Sequence, residues 1–600
     1  MNVFMTKKRV VLFSLLAVLI VAIPVSVIVF VLQQQSPRRS TAPITVLQYE
    51  KLELTYPFSG SYSNPNDPAI VDVEAVFTAP DGNTQTVPGF FFQDFTRSGD
   101  VTKEILTPVP RSERWKVRYA PSEVGIYRYV VTIKDAQGTR TLGNGSFTVK
   151  PSTNPGFIKA VGLHFERTNG QRFIPLGINA PWFQYGSIHG TGHSWGDGTY
   201  GVDKMYKYLA TSGINYVHIW TCSWSAGRPA PFAKPNIGCD GGTGGTAQMS
   251  QPDSWEMDYI VDQAHKQNVY IMPILKHRSP DVLEYADKIK ARYFVARWGY
   301  STNIMAWEFC KERCTDPGMS HAWASYIHSI DPYQHPLTTS LWNHFPTLNA
   351  TRLQEYTHIF DDPLMNIVQN HDYQRDCSTE LNSDTSLYVF NTMQTYTQTL
   401  PSFAKPAFIG ETGLTPCTEH GTNESTYYRS DHNGVILKGE IWGSLMSSSG
   451  GYAPWYFHAD ATVNQLAIFK AASAYAAALP PVPDDAQLFS NYQSTSQVTA
   501  SNTILHVIGR KNATFAMLYI QNTTGTWGAM VRDKHAPTPI SGTVELKGMQ
   551  AGAGFSVRWY DTDTGALLKT DSVTAHTGGV LLTLPKQITE SIAAIVTIGA

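Results

Sequence analysis

Two short apolar runs in the middle of the chain each end on a glutamate. Residues 303–312 read Asn-Ile-Met-Ala-Trp-Glu-Phe-Cys-Lys-Glu and finish at Glu312, and residues 405–413 read Lys-Pro-Ala-Phe-Ile-Gly-Glu-Thr-Gly and carry Glu411. A β-strand that delivers a carboxylate at its end can aim it into a cleft. Two such carboxylates facing each other can combine acid–base and nucleophilic work on one bond. Cleavage of the acetal between two sugars asks for such a pair: one carboxyl protonated to assist the leaving oxygen, the other ionised to attack the anomeric carbon or stabilise its charge. Partial burial and coupled charges can divide the protonation between them. Taken singly, each glutamate has a plainer reading, Glu312 as a loop residue paired with Lys311 or Arg313 and Glu411 as a helix cap.

The surrounding pattern says what must position them. Between residues 153 and 482 short apolar runs alternate with stretches of helical length, as in βαβ units. Strands are expected at 173–177, 216–220, 269–275, 304–308, 337–341, 367–369, 407–410 and 453–456, with helices at 254–266, 285–298 and 323–330 among others. Eight such repeats predict an α/β fold, a (β/α)8 TIM barrel with insertions, whose chemistry sits where strands end. Glu312 and Glu411 then follow strands four and seven. Residues 44–152 and 483–600 instead show short alternating segments between turn signals such as Pro80-Asp81-Gly82, Gln137-Gly138 and Asp563-Thr564-Gly565. They predict two all-β sandwiches flanking the barrel, the first immunoglobulin-like.

Composition narrows the partners. The 600 residues carry 46 Lys plus Arg and 48 Asp plus Glu, a formal charge of −2, which excludes a broad electrostatic footprint for nucleic acid. Only 16% of residues are charged, which argues against disorder or coiled coil. Within residues 1–43, Lys7, Lys8 and Arg9 precede an uncharged apolar run of 23 residues, 10–32, long enough to span a bilayer. An N-terminal transmembrane helix is expected, with the N-terminus cytoplasmic and the rest of the chain outside the cell membrane; a cleaved signal peptide is the competing reading. Residues 33–43 read as a polar spacer. Six cysteines (Cys222, Cys239, Cys310, Cys314, Cys377 and Cys417) in an exported chain point to disulfides, and Cys310-x3-Cys314 alone is weak evidence for a metal.

The segment 304–312 resembles the strand-four signature of clan A glycoside hydrolases, the retaining group that includes the family five cellulases and mannanases. That signature runs Trp-Glu-x-x-Asn-Glu and its last Glu is the acid/base, which implies that role for Glu312. Residues 406–413 resemble the clan's strand-seven segment, which implies the nucleophile at Glu411. Asn370-His371-Asp372-Tyr373 is similar to a strand-six His-x-Tyr segment whose Tyr hydrogen-bonds the nucleophile, and Trp455 falls where the clan places a Trp under the sugar. Lys311, His371, Tyr373 and Trp455 are thereby implied as substrate-binding residues. The run Trp115-Lys116-Val117-Arg118-Tyr119-Ala120-Pro121 with Gly125-Ile126-Tyr127 resembles a sandwich often attached to such barrels. The C-terminal module resembles a β-domain related to one called collagen-binding.

One departure stands out: Lys311 occupies the position of the clan's Asn, which hydrogen-bonds the sugar 2-hydroxyl. Lysine can donate but brings a charge on a flexible stem, and a cation beside Glu312 would favour its ionised form. Altered sugar specificity, a shifted pH optimum and lost catalysis are all open consequences. Glu308 is expected to be structural, paired with a basic group. Asn179, Trp182, His218, Trp220, Lys276 and His277 are candidates to line the cleft, His432-Asn433 to support it, and Trp224, Trp342 and Trp455 to stack on sugar. The resemblance implies a membrane-anchored extracellular retaining glycosidase acting on β-linked oligo- or polysaccharides, with no metal or organic cofactor. The alternative is a carbohydrate-binding or adhesion protein that has lost catalysis.

Overall fold

The computed structural model describes residues 44–180, 196–221, 231, 247–275, 283–312, 316–342, 350–376, 384–399, 404–416, 425–447, 452–454, 463–492 and 497–599. The apolar run 10–32 lies outside them. Among the described residues no helix is long and apolar enough to cross a membrane.

Alternation of buried and exposed residues builds the N-terminal region. A five-stranded sheet, in the order Ile44–Leu47, Gly138–Lys150, Gly125–Asp135, Asp72–Thr78 and Thr84–Pro88, faces a three-stranded one of Leu52–Pro57, Arg114–Tyr119 and Phe90–Phe92. Val73, Ala75 and Phe77 point inward from the first and Trp115, Val117 and Tyr119 from the second. Phe77 stacks on Tyr119 with ring centroids 4.0 Å apart. The alternate residues Lys116 and Arg118, which a free-standing sandwich would leave in water, are buried (7% and 4% exposed). Helices of the next region cover that face.

There, parallel strands alternate with helices to form a mixed α/β domain. Gly177–Asn179, Tyr216–Trp220, Tyr270–Ile274, Trp307–Glu308 and Leu337–Thr338 form one parallel sheet; Ser340–Trp342, Val368–His371, Ala407–Thr412 and Tyr452–Pro454 form a second. The last of these strands lies beside the first. The fifth expected strand is thus split at Thr339. The first is displaced: Arg172–Phe173 belongs not to it but to a small antiparallel sheet with Ile158–Val161 and His164–Arg167. Ile158, Phe165 and Phe173 of that sheet pack on Tyr216, Tyr270 and Met305, so it covers the N-terminal ends of the parallel strands. Among the described residues, eight longer helices intervene or follow: Gly198–Thr211, Gln251–Gln267, Tyr285–Trp298, Pro317–Ile330, Ala350–Phe360, Thr385–Thr399, Val435–Ser447 and Val463–Ala478.

Two helices begin earlier than the hydrophobic period suggests, because capping residues start them. Ser250 accepts from Asp253 N ahead of Pro252, and Asp316 accepts from Met319 N ahead of Pro317.

The C-terminal region has a six-stranded sheet, in the order Gln487–Ser490, Leu505–Lys511, Phe515–Asn522, Ser591–Ile598, Gly554–Asp561 and Leu567–Thr574, and a three-stranded one. Phe515–Asn522 is buried on both faces. Ala516, Leu518 and Ile520 enter the sandwich core, while Tyr519 stacks on Trp442 of the α/β domain at 5.6 Å. Both flanking regions are therefore packed onto the middle one.

Candidate active site

The C-terminal ends of the parallel strands gather the charged groups. After Trp307–Glu308 the chain leaves the sheet, and Glu312 adopts φ +65°, a left-handed conformation that costs a non-glycine residue about 1–2 kcal/mol. Its backbone N donates to the carbonyl of Ser340 (3.0 Å) and to Ser340 Oγ (3.1 Å), so the neighbouring strand holds the strained turn. Glu411 sits in Ala407–Thr412 beside Val368–His371, and is almost fully buried. Gly410 before it permits a close approach: a Cβ there would lie 2.7 Å from the Gln369 side chain.

One nitrogen of His371 joins the two carboxylates. Its Nδ1 is 2.9 Å from Glu312 Oε1 and 3.4 Å from Glu411 Oε2. One oxygen of each glutamate and one nitrogen of His371 lie within 4.8 Å of one another. Tyr373 Oη donates to Glu411 Oε2 at 2.6 Å. Glu411 Oε1 faces the Lys311 ammonium at 2.6 Å, out of line for a hydrogen bond. Lys311, 2% exposed at its side chain, also lies 3.5 Å over the Trp220 ring. Glu312 keeps 22% of its side-chain surface accessible.

Beneath this layer is a second, fully buried one. Glu308 is fully buried and contacts His218 Nε2 (2.7 Å), Ser340 Oγ (2.6 Å) and Gln369 Nε2 (2.9 Å). Burial pushes its carboxyl up, but the charge and hydrogen bond of His218, the charge of His371 and the Ser340 hydroxyl outweigh it and hold it below the usual range. His218 Nδ1 meets Asn179 Oδ1 at 2.6 Å, and Asn179 Nδ2 donates to Gly410 O. A chain of contacts thus runs under the two outer glutamates.

Several expectations need correction. The Lys311 ammonium is not chiefly beside Glu312, from which it stands 3.9 Å; it is paired with Glu411. Lys311 and His371, expected to touch sugar, place nitrogens on the carboxylates. Asn179, His218 and Trp220 are buried supports and not cleft lining. His432 and Asn433 are exposed in a turn that Asp431 caps through Val435 N and Ile436 N. Trp342 is 44% exposed, one strand over from His371, where an aromatic face is open to a ligand. Trp182, Trp224, Lys276, His277 and Trp455 lie outside the described residues, as do five of the six cysteines; Cys310 is fully buried and disulfide-bonded. Ser340 is the contributor that pattern reading missed, since a serine inside an apolar strand carries no spacing signal. The carboxylates and His371 are close enough to hold a cation, but a divalent ion there would lie against the Lys311 ammonium.

Comparison with known proteins bears on the architecture. Residues 45–134, in the N-terminal sandwich, match the family model described as a domain of unknown function, DUF5060. No curated protein sequence matches the chain. Among solved structures, a Bacteroides vulgatus protein provisionally classed as a glycoside hydrolase superposes with a TM-score of 0.58 at 15% identity, over 93% of this chain and 100% of its own. The fold is glycoside hydrolase-like. A family 5 glycoside hydrolase from the same species is more distant, with TM-score 0.47 and 15% identity over 74% of this chain and 94% of its own. At these identities the likeness is one of fold.

Proposed function

We propose that the protein is a retaining glycosidase of β-linked saccharides, with Glu411 as nucleophile and Glu312 as acid/base on a (β/α)8 barrel. The observation that carries the reading is the separation of the two carboxylates, with oxygens within 4.8 Å across a shared histidine. Retaining enzymes hold their carboxyl groups about 5–5.5 Å apart, whereas inverting ones leave room for a water, at about 6.5–9.5 Å. The strained turn at Glu312 is consistent with a position kept for chemistry.

With Oε2 held by Tyr373, Oε1 of Glu411, which has no hydrogen bond and faces the Lys311 ammonium, attacks the anomeric carbon as the bond to the leaving oxygen breaks. Glu312 gives its proton to that oxygen. Water then hydrolyses the glycosyl-enzyme: Glu312 takes its proton, the hydroxyl joins the anomeric carbon and Glu411 is released as carboxylate. His371, between both groups, keeps them in register through the exchange. Trp342 offers a stacking face for a sugar ring. In this reading the apolar run 10–32 tethers the enzyme outside the cell membrane and the cysteines pair as disulfides.

A second reading has its own observation. A cation 2.6 Å from the nucleophile weakens it, and a barrel so altered would bind saccharide without cleaving it. A panel of aryl β-glycosides and polysaccharides, assayed with wild type and Glu411→Gln, separates the two. Turnover by the wild type that the substitution abolishes establishes the enzyme; binding without turnover in both establishes the binding protein. Turnover that survives the substitution refutes Glu411 as nucleophile.

A further inference from the structure

At the opposite end of the parallel strands a cavity of about 460 Å3 opens between the small antiparallel sheet, the end of the last helix of the α/β domain and the C-terminal sandwich. This volume is within the range of small-molecule sites, about 300–1,000 Å3. Its walls combine apolar surface, including Phe173, Leu176, Leu445 and Met517, with basic groups. The basic groups outnumber the acids. Arg167, Arg172, Arg510 and His164 line the cavity, and Asp484 is the acid among its lining residues.

Arg510 is the distinctive member. It projects from Leu505–Lys511 toward the α/β domain, where its Nη2 donates to the carbonyl of Ser447 at the end of Val435–Ser447. Its Nε is buried without a hydrogen-bond partner, and no carboxylate among the described residues pairs with it. Burial alone pushes its guanidinium down to about 10. A guanidinium left in this state is costly unless an anion completes it. The other basic groups are only partly committed. Arg167 Nε donates to Tyr270 Oη at 2.9 Å and its guanidinium lies over Phe173. Arg172 reaches Asp484 at 3.9 Å, a long contact to a side chain 66% exposed. His164 pairs with Glu166 at 2.6 Å through Nε2, while its buried Nδ1 has no hydrogen bond and stands 3.6 Å from Asp484.

We propose that this cavity binds a small organic acid, its carboxylate on Arg510 and the neighbouring basic groups and its apolar body against Phe173, Leu445 and Met517. The apolar walls argue for an organic body over a bare inorganic anion, which would leave them facing water. Arg172, 28% exposed at its side chain, marks the side from which the ligand enters. The cavity lies at the strand ends away from Glu312 and Glu411, so the inference stands independently of the proposed glycosidase.

Isothermal titration of the full chain with 3-phenylpropionate, 3-phenylpropionamide and inorganic phosphate tests it. The acid should bind saturably and raise the melting temperature, and its affinity should fall at least about tenfold in Arg510→Gln. Arg172→Gln, at the accessible side, should weaken it as well and guards against a folding defect in the first variant, which its melting curve reveals. Absence of saturable binding by the acid at millimolar concentration would overturn the proposal. So would equal affinity for the amide, affinity unchanged in both variants, or phosphate binding as tightly as the acid.

Discussion

Two clusters of buried charge sit in this molecule and are built on opposite terms. Between the N-terminal sandwich and the α/β domain, Asp258 receives Arg118 at 2.6 Å, Arg297 at 2.6 Å and the Trp298 indole at 2.8 Å, while Glu53 takes Lys116 and Arg118 at 2.7 and 2.9 Å. Every carboxylate there has two or more aligned donors. At the strand ends, by contrast, Tyr373 donates to Glu411 Oε2 in line, but the other groups are shared or out of line. One His371 nitrogen is divided between Glu312 and Glu411, Lys311 leans on Glu411 without alignment, and His371 Nε2 finds no hydrogen bond. A cluster of aligned pairs fixes two domains together; one in which a single nitrogen spans two carboxylates is the kind of arrangement from which protons can move.

The contrast can be broken by swapping the readouts. Glu411→Gln should reduce turnover by about four orders of magnitude or more without lowering the melting temperature. Arg118→Ala should do the reverse. It takes one donor from each of Asp258 and Glu53 and opens a buried gap between the two regions, costs about 3 kcal/mol in denaturant unfolding, and leaves kcat of the folded fraction unchanged. If Arg118→Ala is as stable as wild type, the interdomain cluster does not hold the domains as argued. Glu312→Gln should slow turnover about 10²–10³-fold on substrates with poor leaving groups and much less on activated aryl glycosides, which need no proton. A uniform loss across leaving groups would remove the acid role.

Acid should strike the satisfied cluster. Burial raises the Glu53 carboxyl, but Arg118 and Lys116 together bring it down to about 2, against an ordinary value near 4.5. A depressed carboxylate stabilises the fold above its unfolded pKa and loses that contribution as pH falls from about 4.5 through 2, here about 3 kcal/mol. Unfolding measured between pH 6 and 2 should show the decline, and Glu53→Gln should flatten it. The smallest effect is expected at Lys311. Lys311→Asn should raise kcat about tenfold with KM nearly constant, because it removes the ammonium that weakens Glu411 and that is too buried to contribute much to sugar binding. A change confined to KM would return Lys311 to the sugar.

How much was legible can be judged from particular residues. The helix at 285–298 is legible as an uninterrupted stretch of helical length, and the Glu284/Asp287 capping box starts it at the expected residue. The expected strand one at 173–177 is displaced because its apolar run passes for a barrel strand, while Phe173 pairs antiparallel with His164–Arg167 and the parallel strand begins only at Gly177. Lys116 and Arg118 alternate with the inward Trp115, Val117 and Tyr119, and it is the docking of Gln251–Gln267 and Tyr285–Trp298 that makes them interior. Lys311 was placed by adjacency beside Glu312, but the left-handed turn at Glu312 lets the two side chains part, and the ammonium goes to Glu411, 100 positions along the chain.

Local chemistry alone determined the alternation of strand and helix, the two flanking β regions and the presence of a glutamate at the end of each of two parallel strands. These depend on periodicity and on neighbours a few residues away, which a linear chain displays. Apart from the Tyr373–Glu411 bond, which the strand-six resemblance implies, which donor serves which carboxylate was settled only by tertiary structure. Such partners are brought together across strands, where an ångström of displacement separates a hydrogen bond from a bare contact, and no spacing in the chain records it.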